Sequence, residues 1–533
     1  MESHRDASAG PDFWAERAPG AGWAELSPIS FLLRSAAVFP GRVAVRDGAE
    51  SWTYAELRER VELLAGVLAG LSVEPGDRVA ALLPNSAGML ESHFAVPGMG
   101  AVMVPLNTRL SPQEIGWILE HSGARVVIAD AVGRDLVATA RAELDQPPLL
   151  LDLDAEGPDG YAARAAAARP LPVTAQPETS LLSINYTSGT TGKPKGVMYT
   201  HRGAYVQGLG VVAQCGLTPE ARCLWTLPMF HCHGWSFTWG VTAAGGEHVC
   251  LRQVVPERAW EALGEHHITH FCGAPTVLTM LLEAEEKRAS EQTVRVFTGG
   301  APPSPHVIES CEALGWDVTH LYGLTETYGP VAVCVWHEEW NLLPLEERAR
   351  LKARQGVQTI VSEPVRVVDE NLAEVARDGT EMGEIVATGN NVTIGYFRNP
   401  EETARAFAGG VFHTGDLAVM HADGYLEIRD RSKDVIISGG ENISSIEVEQ
   451  ALVAHPDVVQ VAVVGVPHER WGETPHAFVV LRAGAAQDAE ELRRFARERL
   501  AGYKLPGLVT FLDELPTTST GKVQKYLLRE SDD

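Results

Sequence analysis

The sequence predicts a large α/β protein that ends in a smaller α+β domain. From residue 29 onward, short apolar runs alternate with amphipathic helical segments, a pattern typical of parallel sheets covered by helices. After Asp430 the elements become shorter and their connections tighter, which indicates a separate α+β unit. The chain has 533 residues, enough for roughly three or four domains.

The first elements follow one another closely. Residues 44–46 and 51–54 flank a tight turn and are predicted to form two short strands. Thr53 can cap a helix over residues 55–71, whose apolar side chains recur at three- and four-residue steps. A Pro-Gly-Asp turn at residues 75–77 ends that helix, and a buried apolar strand follows it.

Most of the later apolar runs end in Gly, Ser, Thr or Pro. In open α/β sheets, ligands gather at the carboxyl ends of the strands, so we expect a binding site at these junctions. Residues 141–180 are rich in Ala, Pro, Asp and Arg and are predicted to be a connector instead of a core element. The apolar runs are LLSINYTS, HVCLRQV, HFCGAP, VRVFTGG and VTHLYG.

Composition excludes several classes of protein. The chain has 44 basic and 70 acidic residues and a net charge of −26, which argues against a general nucleic-acid binder. The seven cysteines form no C-x-x-C pair, so reduced thiols are expected. No run of about 18 apolar residues predicts a membrane span. Because neither terminus resembles a secretory or peroxisomal signal, we expect a cytoplasmic protein.

The strongest local signal is the loop YTSGTTGKPKG at residues 186–196, which follows the apolar run LLSIN. Its glycines, hydroxyl residues and two lysines offer backbone N–H groups, hydroxyl donors and cations together, as a polyphosphate requires. It is not a Walker A loop, because proline follows Lys193 where that loop has Ser or Thr. The sequence therefore predicts a phosphate-binding loop of another kind; the alternative is a flexible surface loop.

Two shorter motifs carry oxygen ligands. In GLTET, residues 323–327, Thr325 can bind a phosphate oxygen and Glu326 suits Mg²⁺, which commonly binds through one or two carboxylates and substrate phosphates. Taken alone, that pentapeptide is more often a helix cap. In HTGD, residues 413–416, the Asp416 carboxylate can accept both hydroxyls of a ribose, although such a segment is also typical of an Asx turn.

Two polar motifs border the smaller domain. The segments RSKD at 431–434 and SGGEN at 438–442 lie at the inferred domain boundary. TGK at 520–522 lies near the C-terminus, where a lone lysine is normally a solvated surface charge. Each of these motifs is weak alone, but together with the phosphate loop they form one ordered set.

In this order the motifs resemble the adenylate-forming superfamily, which comprises acyl- and aryl-CoA synthetases, firefly luciferases and peptide-synthetase adenylation domains. The resemblance extends from about residue 30 to 530 and rests on YTSGTTGKPKG, YGLTET, FHTGD, DRSKDVIISGGENIS and TSTGK. The segments PMFHCHGW, CGAPTVL, TGGAPP and HLYGLTETYGP are most similar to the medium-chain fatty acyl-CoA and methylmercaptopropionate-CoA ligase group.

The resemblance implies an α/β fold with a large N-terminal region of two βαβ lobes and a small distorted β-barrel, followed by a small mobile α+β C-terminal domain. We expect a flexible N-terminus at 1–25, an adenylation and acyl-binding domain at 26–430, a hinge at 431–434 and the mobile domain at 435–533. The expected cofactors are ATP, Mg²⁺ and CoA.

The resemblance also implies roles around ATP. The phosphate loop would hold the β- and γ-phosphates, Thr325 would contact the α-phosphate, and Glu326 would bind Mg²⁺. Tyr322 would stack on the adenine, while Asp416 and Arg431 would hold the ribose. The full set implied around the nucleotide is Thr187, Ser188, Gly189, Thr190, Thr191, Gly192, Lys193, Lys195, Gly300, Ala301, Pro302, Tyr322, Asp416 and Arg431.

Further roles follow for the acyl side and the second domain. Lys522 would be the catalytic lysine, Lys433 the hinge about which the small domain turns, and Gly440 part of the pantetheine channel. His231 would be the gate between the nucleotide and the acyl pocket. The expected substrate pocket consists of His233, Trp235, Ser236, Gly299, Gly323 and Pro330.

Three positions depart from the resembled pattern. His233 stands where the nearest group usually has Asn, Thr517 where Lys is common, and Val411 where Trp is common. None of these removes an implied catalytic residue. His233 has two interpretations, a contact with the acyl group or a cap on a turn, whereas Trp235 is interpreted as a wall of the acyl pocket.

The function predicted is an AMP-forming acid–thiol ligase that makes an acyl adenylate and then an acyl-CoA. A carboxylate is already ionised at pH 7, so its attack on the α-phosphorus needs no general base. The barrier is mostly positioning and charge, which fits a site of amides, hydroxyls, cations and a metal. One alternative passes the acyl group to a carrier-protein thiol, an amine or another nucleophile, and a second is a silent nucleotide-binding module. A homodimer is left open.

Overall fold

The computed structural model describes residues 22–157, 160–187, 194–439, 441–468, 470–482, 484–517 and 523–530. Several predicted site residues lie outside these ranges, namely Ser188, Gly189, Thr190, Thr191, Gly192, Lys193, Gly440 and Lys522. The described residues form four sheets, of which three lie in the N-terminal part and one lies after residue 435.

The first lobe is a six-stranded sheet of order β6-β5-β3-β4-β7-β8. Its strands are parallel except for the last pair, in which β7 and β8 run antiparallel. The expected connector contributes an edge strand to this sheet, because Leu149–Asp152 pairs with the buried strand at 124–129. The strands are β3 Arg78–Leu82, β4 Val102–Pro105, β5 Ala124–Ala129, β6 Leu149–Asp152, β7 Leu181–Thr187 and β8 Lys195–Thr200.

The second lobe is a nine-stranded sheet of order β15-β14-β13-β12-β11-β9-β10-β1-β2. The two strands predicted at the start of the chain form its antiparallel edge hairpin. The strands are β1 Val43–Asp47, β2 Glu50–Thr53, β9 Arg222–Leu224, β10 Glu247–Cys250, β11 His270–Gly273, β12 Val294–Thr298, β13 Trp316–Leu324, β14 Gly329–Val333 and β15 Val357–Gln358.

A four-stranded antiparallel sheet of order β16-β17-β18-β19 stands where the small barrel is expected. Its apolar face packs with Tyr322 and β14, so it closes one side of the site. The C-terminal sheet has a core of its own, which runs from Ile436 to Leu500. The strands are β16 Arg366–Val368, β17 Met382–Ala387, β18 Phe412–Met420, β19 Leu426–Arg431, β20 Ile436–Ser438, β21 Glu441–Ile443, β22 Val458–His468, β23 Gly472–Leu481 and β24 Leu508–Phe511.

The helices cover the sheets, and several of them begin at a residue whose side chain caps the helix. The helix Tyr54–Gly70 begins with a capping box in which Thr53 accepts from the Glu56 N–H, as predicted. Among the described residues, no helix is long and apolar enough to cross a membrane. The helices are Ile29–Val38, Tyr54–Gly70, Ala87–Gly98, Pro112–Ser122, Arg134–Ala142, Tyr161–Ala167, His201–Cys215, Phe237–Ala244, Pro256–Glu265, Pro275–Glu283, Pro305–Ala313, Leu345–Lys352, Pro400–Ala406, Ser445–Val453, Ala489–Arg497 and Lys525–Glu530.

Candidate active site

A cleft of about 2860 Å³ lies between the N-terminal part and the C-terminal domain. Most of the described residues that the motifs single out line it, because they follow the ends of β7, β12 and β13 or lie on β18 and β19. The predicted residues that line the cleft are Thr187, Lys195, His231, Trp235, Gly299, Gly300, Ala301, Pro302, Tyr322, Gly323, Thr325, Glu326, Pro330, Asp416, Arg431 and Lys433.

The two ends of the phosphate loop are held side by side. Thr187 pairs with Lys195 in the antiparallel ladder of β7 and β8. The Lys195 ammonium forms an ion pair with the Glu402 carboxylate, which lies on the helix Pro400–Ala406. The ladder therefore places a cation at the exit of the loop and gives it a counter-ion from a distant part of the chain.

The GLTET motif forms a tight turn at the end of β13. Gly323 is required there, because a Cβ on it would lie 1.9 Å from the Gly329 carbonyl oxygen. The Tyr199 hydroxyl donates to the Thr325 carbonyl at 2.5 Å, and the Tyr396 hydroxyl donates to Oε1 of Glu326 at 2.9 Å. The Glu326 carboxylate thus borders the cleft with a hydrogen bond from tyrosine, and it does not cap a helix.

Asp416 is the centre of a second polar group. Its side chain is only 5% exposed, and its two carboxylate oxygens have different partners. Oδ2 accepts from the Tyr322 hydroxyl at 2.8 Å, and Oδ1 lies 3.2 Å from Nε of Arg431. Burial, together with the Asp416 charge, raises the pKa of Tyr322 well above its usual value, so the phenol stays a neutral donor.

The segment after His231 has an unusual backbone. Residues 232–236 all have positive φ, with values of 47, 47, 56, 51 and 66°, although only Gly234 lacks a side chain. A left-handed conformation costs about 1–2 kcal/mol for each such residue. Strained backbone of this kind is held in place by its surroundings and is common at functional sites. This left-handed turn brings His231, Cys232 and Trp235 to the cleft wall.

The same turn directs His233 away from the cleft. The imidazole is fully buried, its Nε2 lies 2.7 Å from Oγ of Ser183, and its ring centroid lies 4.7 Å from that of His93. Burial lowers the pKa of His233 well below its usual value, so the ring is neutral. Ser236 is buried as well, and its hydroxyl donates to the Tyr328 carbonyl at 3.3 Å. Contrary to the expected pocket, the structure brings neither His233 nor Ser236 to the cleft.

Trp235 packs against two glycines at the cleft wall. A Cβ on Gly299 would lie 3.1 Å from Cη2 of the indole, and a Cβ on Gly329 would lie 3.2 Å from the Trp235 Cα. The indole is 8% exposed and shares this region with Leu227 and Phe230. The wall at this end of the cleft is therefore a large aromatic side chain seated on glycine backbone.

Comparison with known proteins identifies the family of this chain. The family model described as AMP-binding enzyme matches residues 32–397, and the model described as AMP-binding enzyme C-terminal domain matches residues 447–522. The chain belongs to the AMP-binding enzyme family.

Relatives within this family are named CoA ligases. A 2-methylpropanoate–CoA ligase of Humulus lupulus is 44% identical over 95% of this chain and 95% of its own length. A peroxisomal acetate/butyrate–CoA ligase of Arabidopsis thaliana is 41% identical over 96% of this chain and 95% of its own. Among solved structures, ATP-bound MatB of Rhodopseudomonas palustris has a TM-score of 0.84 at 30% identity and covers 95% of this chain and 99% of its own.

The AMP-binding fold implies a divalent cation with the triphosphate, and the residues present fit one. No group of three or more His, Cys, Asp or Glu that could hold a metal occurs among the described residues. A site for Mg²⁺ does not need such a group of protein ligands, because this ion usually binds through one or two carboxylates, waters and substrate phosphates. Glu326 supplies such a carboxylate at the cleft, and Oε2 of Glu326 has no hydrogen-bond partner within the described part of the chain.

Sequence reasoning missed several residues of this site. Tyr199, Tyr396 and Glu402 contact the predicted residues directly, but they belong to no motif that carries chemistry by itself. Asp434, in the predicted hinge, and Arg529, in the helix Lys525–Glu530, form a 2.7 Å ion pair. No sequence signal indicates these contacts, because each joins segments that are far apart in the chain.

Proposed function

We propose that this enzyme joins a short carboxylic acid, linear or branched, to the thiol of CoA through an acyl adenylate. The observation that carries the proposal is that groups suited to each part of such a substrate line one cleft. Lys195 and Glu326, which suit a metal–triphosphate, line it together with the Asp416 group and the aromatic side chain of Trp235. Relatives named for 2-methylpropanoate and for acetate and butyrate support the small size of the acid.

In the first step, an oxygen of the acid carboxylate forms a bond to the α-phosphorus of ATP, and diphosphate leaves with the electrons of the broken P–O bond. No proton has to be removed from the acid at neutral pH. Asp416 retains free lone pairs that can accept the ribose hydroxyls, because its oxygens hold one donor each from Tyr322 and Arg431. Lys195, the amides of the phosphate loop and Lys522 supply positive charge.

Glu326 would hold the divalent cation, which neutralises phosphate charge when it is bound. Thr325 offers a hydroxyl beside it at the cleft wall. In the second step, the sulfur of the thiol attacks the carbonyl carbon of the adenylate, the thiol proton is lost, and AMP leaves with the acid oxygen. Burial raises the pKa of Cys232 to about 12, so this thiol is protonated and does not act as a nucleophile of the enzyme.

The size of the acid follows from the wall at Trp235. The indole lies against Gly299, and the backbone of Trp235 lies against Gly329. Each methylene of the acid that the pocket buries strengthens transition-state binding by about 0.8 kcal/mol, and a methylene that does not fit loses that contribution. We therefore propose acids of about two to five carbons as the preferred class. A cytoplasmic location is part of the same proposal.

The experiment is a diphosphate-release screen over acetate, propanoate, 2-methylpropanoate, butanoate, hexanoate, octanoate, benzoate and cinnamate, with CoA present and the thioester identified by mass spectrometry. We expect acid-dependent release of diphosphate and AMP in equal amounts, with the highest kcat/KM among the first four acids. Higher kcat/KM for octanoate or cinnamate would contradict the acid class.

The acceptor is tested separately. CoA is replaced by a carrier protein bearing a phosphopantetheine arm, by an amine or by no acceptor. We expect multiple turnovers only with CoA. In the opposite outcome, the acyl adenylate would accumulate in the presence of CoA and would be consumed only when the carrier protein is added. That result would identify the carrier protein as the acceptor, and the proposed adenylation step would still stand.

A further inference from the structure

Residues 393–402 connect two parts of the nucleotide site that are far apart in the sequence, and we call this segment the clasp. At one end, the Thr393 N–H donates to the Glu326 carbonyl at 2.7 Å and its hydroxyl donates to the Met198 carbonyl at 2.8 Å. Further along, the Phe397 N–H donates to the Gly196 carbonyl at 2.7 Å. The clasp is therefore hydrogen-bonded both to the exit of the phosphate loop and to the GLTET turn.

One side chain of the clasp contacts both charged groups. Tyr396 is 6% exposed, and its hydroxyl donates to Oε1 of Glu326 at 2.9 Å. The ammonium of Lys195 lies 5.3 Å from the centroid of the same ring, within the range of a cation–π interaction. The pairing of Lys195 with Glu402 holds that ammonium on the clasp side. The phenol thus lies between a predicted cation ligand and a predicted phosphate ligand.

The chemistry of a phenol suits this position. A neutral hydroxyl donor fixes the orientation of a carboxylate without adding charge, and it occupies one oxygen only. An ordinary phenol is protonated at neutral pH, so the Tyr396 hydroxyl is the donor in this hydrogen bond. The Tyr396 hydroxyl takes one lone pair of Oε1, whereas Oε2 has no hydrogen-bond partner within the described part of the chain and keeps its lone pairs for a ligand.

We propose that Tyr396 is a positioning residue for the nucleotide site: its hydroxyl orients Glu326 toward the divalent cation of the metal–triphosphate, and its ring holds Lys195 beside it. This inference rests on the proposed role of Glu326 as the ligand of the cation. It assigns the role to the clasp, whose residues carry no nucleotide motif.

The test measures binding with turnover excluded. The affinity of Tyr396→Phe for α,β-methylene-ATP is measured by calorimetry with Mg²⁺ and with EDTA. We expect the Mg²⁺-dependent gain in affinity to fall by about tenfold, the usual effect of removing a partner of a metal ligand. Binding of AMP in EDTA should stay within about twofold, because it does not involve the cation. In turnover, the KM for Mg·ATP should rise while the KM for the acid stays unchanged.

The matched control is Tyr425→Phe, which removes a phenol that donates to the Val335 carbonyl at 2.6 Å, outside the cleft. We expect no change in either affinity. Melting temperatures of both variants are compared with that of the parent, since an isosteric Phe should preserve the fold. An equal loss of AMP affinity in EDTA would show a merely structural role and would overturn the inference.

A double-variant cycle separates this inference from the function on which it rests. In the Glu326→Gln background, Tyr396→Phe should have no further effect on the Mg²⁺-dependent gain, because the group it orients is gone. Additive effects would overturn the positioning role alone. If Glu326→Gln by itself kept the full Mg²⁺-dependent gain in affinity for α,β-methylene-ATP, Glu326 would not be the ligand of the cation. The inference about Tyr396 would then fail with the assignment on which it rests.

Discussion

The hydroxyl of Tyr322 donates a 2.8 Å hydrogen bond to Oδ2 of Asp416, although 94 residues separate the two in the chain. Tyr322 lies on β13 and Asp416 on β18, so the bond joins the nine-stranded lobe to the four-stranded sheet. This bond fixes the position of the Tyr322 ring relative to the Asp416 carboxylate. The ring is proposed to stack on the adenine, and the carboxylate is proposed to hold the ribose. The proposed nucleoside site therefore lies at a junction between two sheets.

We expect Asp416→Asn to weaken AMP binding by about 10–100-fold. The amide loses the charge and one acceptor oxygen, and hydrogen bonds to charged groups are worth about 1.5–3 kcal/mol. Calorimetric titration with AMP measures the effect. Asp369→Asn, in an exposed turn of the four-stranded sheet, is the control and should bind AMP like the parent. Parent-like affinity in Asp416→Asn would remove Asp416 from the ribose site.

We expect Trp235→Ala to shift acid preference toward longer and bulkier acids. The truncation opens volume beside Gly299, and each added methylene should gain about 0.8 kcal/mol or less. The kcat/KM is measured over the acid panel with Trp336→Ala, which lies outside the cleft, as the control. An unchanged rank order would show that Trp235 is a core residue and does not limit the acyl pocket.

We expect Lys522→Ala to lose most adenylation while it still converts presynthesised acyl adenylate and CoA to thioester. A cation beside the incoming carboxylate and α-phosphate matters for the first step, and the second step needs that space cleared. Single-turnover assays of each half-reaction measure the split. A proportional loss of both half-reactions would contradict a role confined to adenylation.

We expect Lys433→Pro to have the opposite effect, sparing adenylation and impairing thioester formation. Proline fixes φ and restricts the preceding residue, so it should hinder rotation about the proposed hinge. The ion pair between Asp434 and Arg529 ties this hinge to the last helix, which begins three positions after Lys522. The same single-turnover assays apply, and equal impairment of both steps would argue against domain alternation.

We expect stability to fall as the pH falls from about 6.5 to 4, because burial lowers the pKa of His93, His201 and His320 to about 4. In this window the unfolded chain binds protons that the folded chain does not, so acid favours unfolding. In this pH window, each of these histidines lowers the free energy of unfolding by about 1.4 kcal/mol for each unit that the pH falls. Urea unfolding at several pH values measures the slope, and His320→Gln should reduce it by about one proton. The same slope in both proteins would disprove the assignment.

Much of the architecture was predictable from local pattern. The helix cap at Thr53 and the strand pair predicted at 44–46 and 51–54 involve neighbours in sequence, so propensity and periodicity were enough to predict them. Residues 149–152 were not predicted as a strand, because among the described residues they pair with β5 alone, at a sheet edge that forms when the lobe folds. Local composition cannot show which edge has room for another strand.

The turn at 232–236 shows where sequence reasoning failed. Its motif predicted a pocket, and His231 and Trp235 do line the cleft. His233 was expected with them, but five consecutive left-handed residues rotate its ring onto Ser183. A backbone of this kind is adopted only because its surroundings hold it, so no propensity scale could have predicted the direction of that side chain.

The sequence by itself determined the class of chemistry, because the motifs and their order along the chain can be compared with those of the adenylate-forming superfamily without a structure. Tertiary structure decided which groups act together. Tyr322 meets Asp416 across two sheets, and Tyr396 reaches both Glu326 and Lys195 from the clasp. The physical reason is that orientation depends on contacts between distant segments, which form only when burial of their apolar faces brings those segments together.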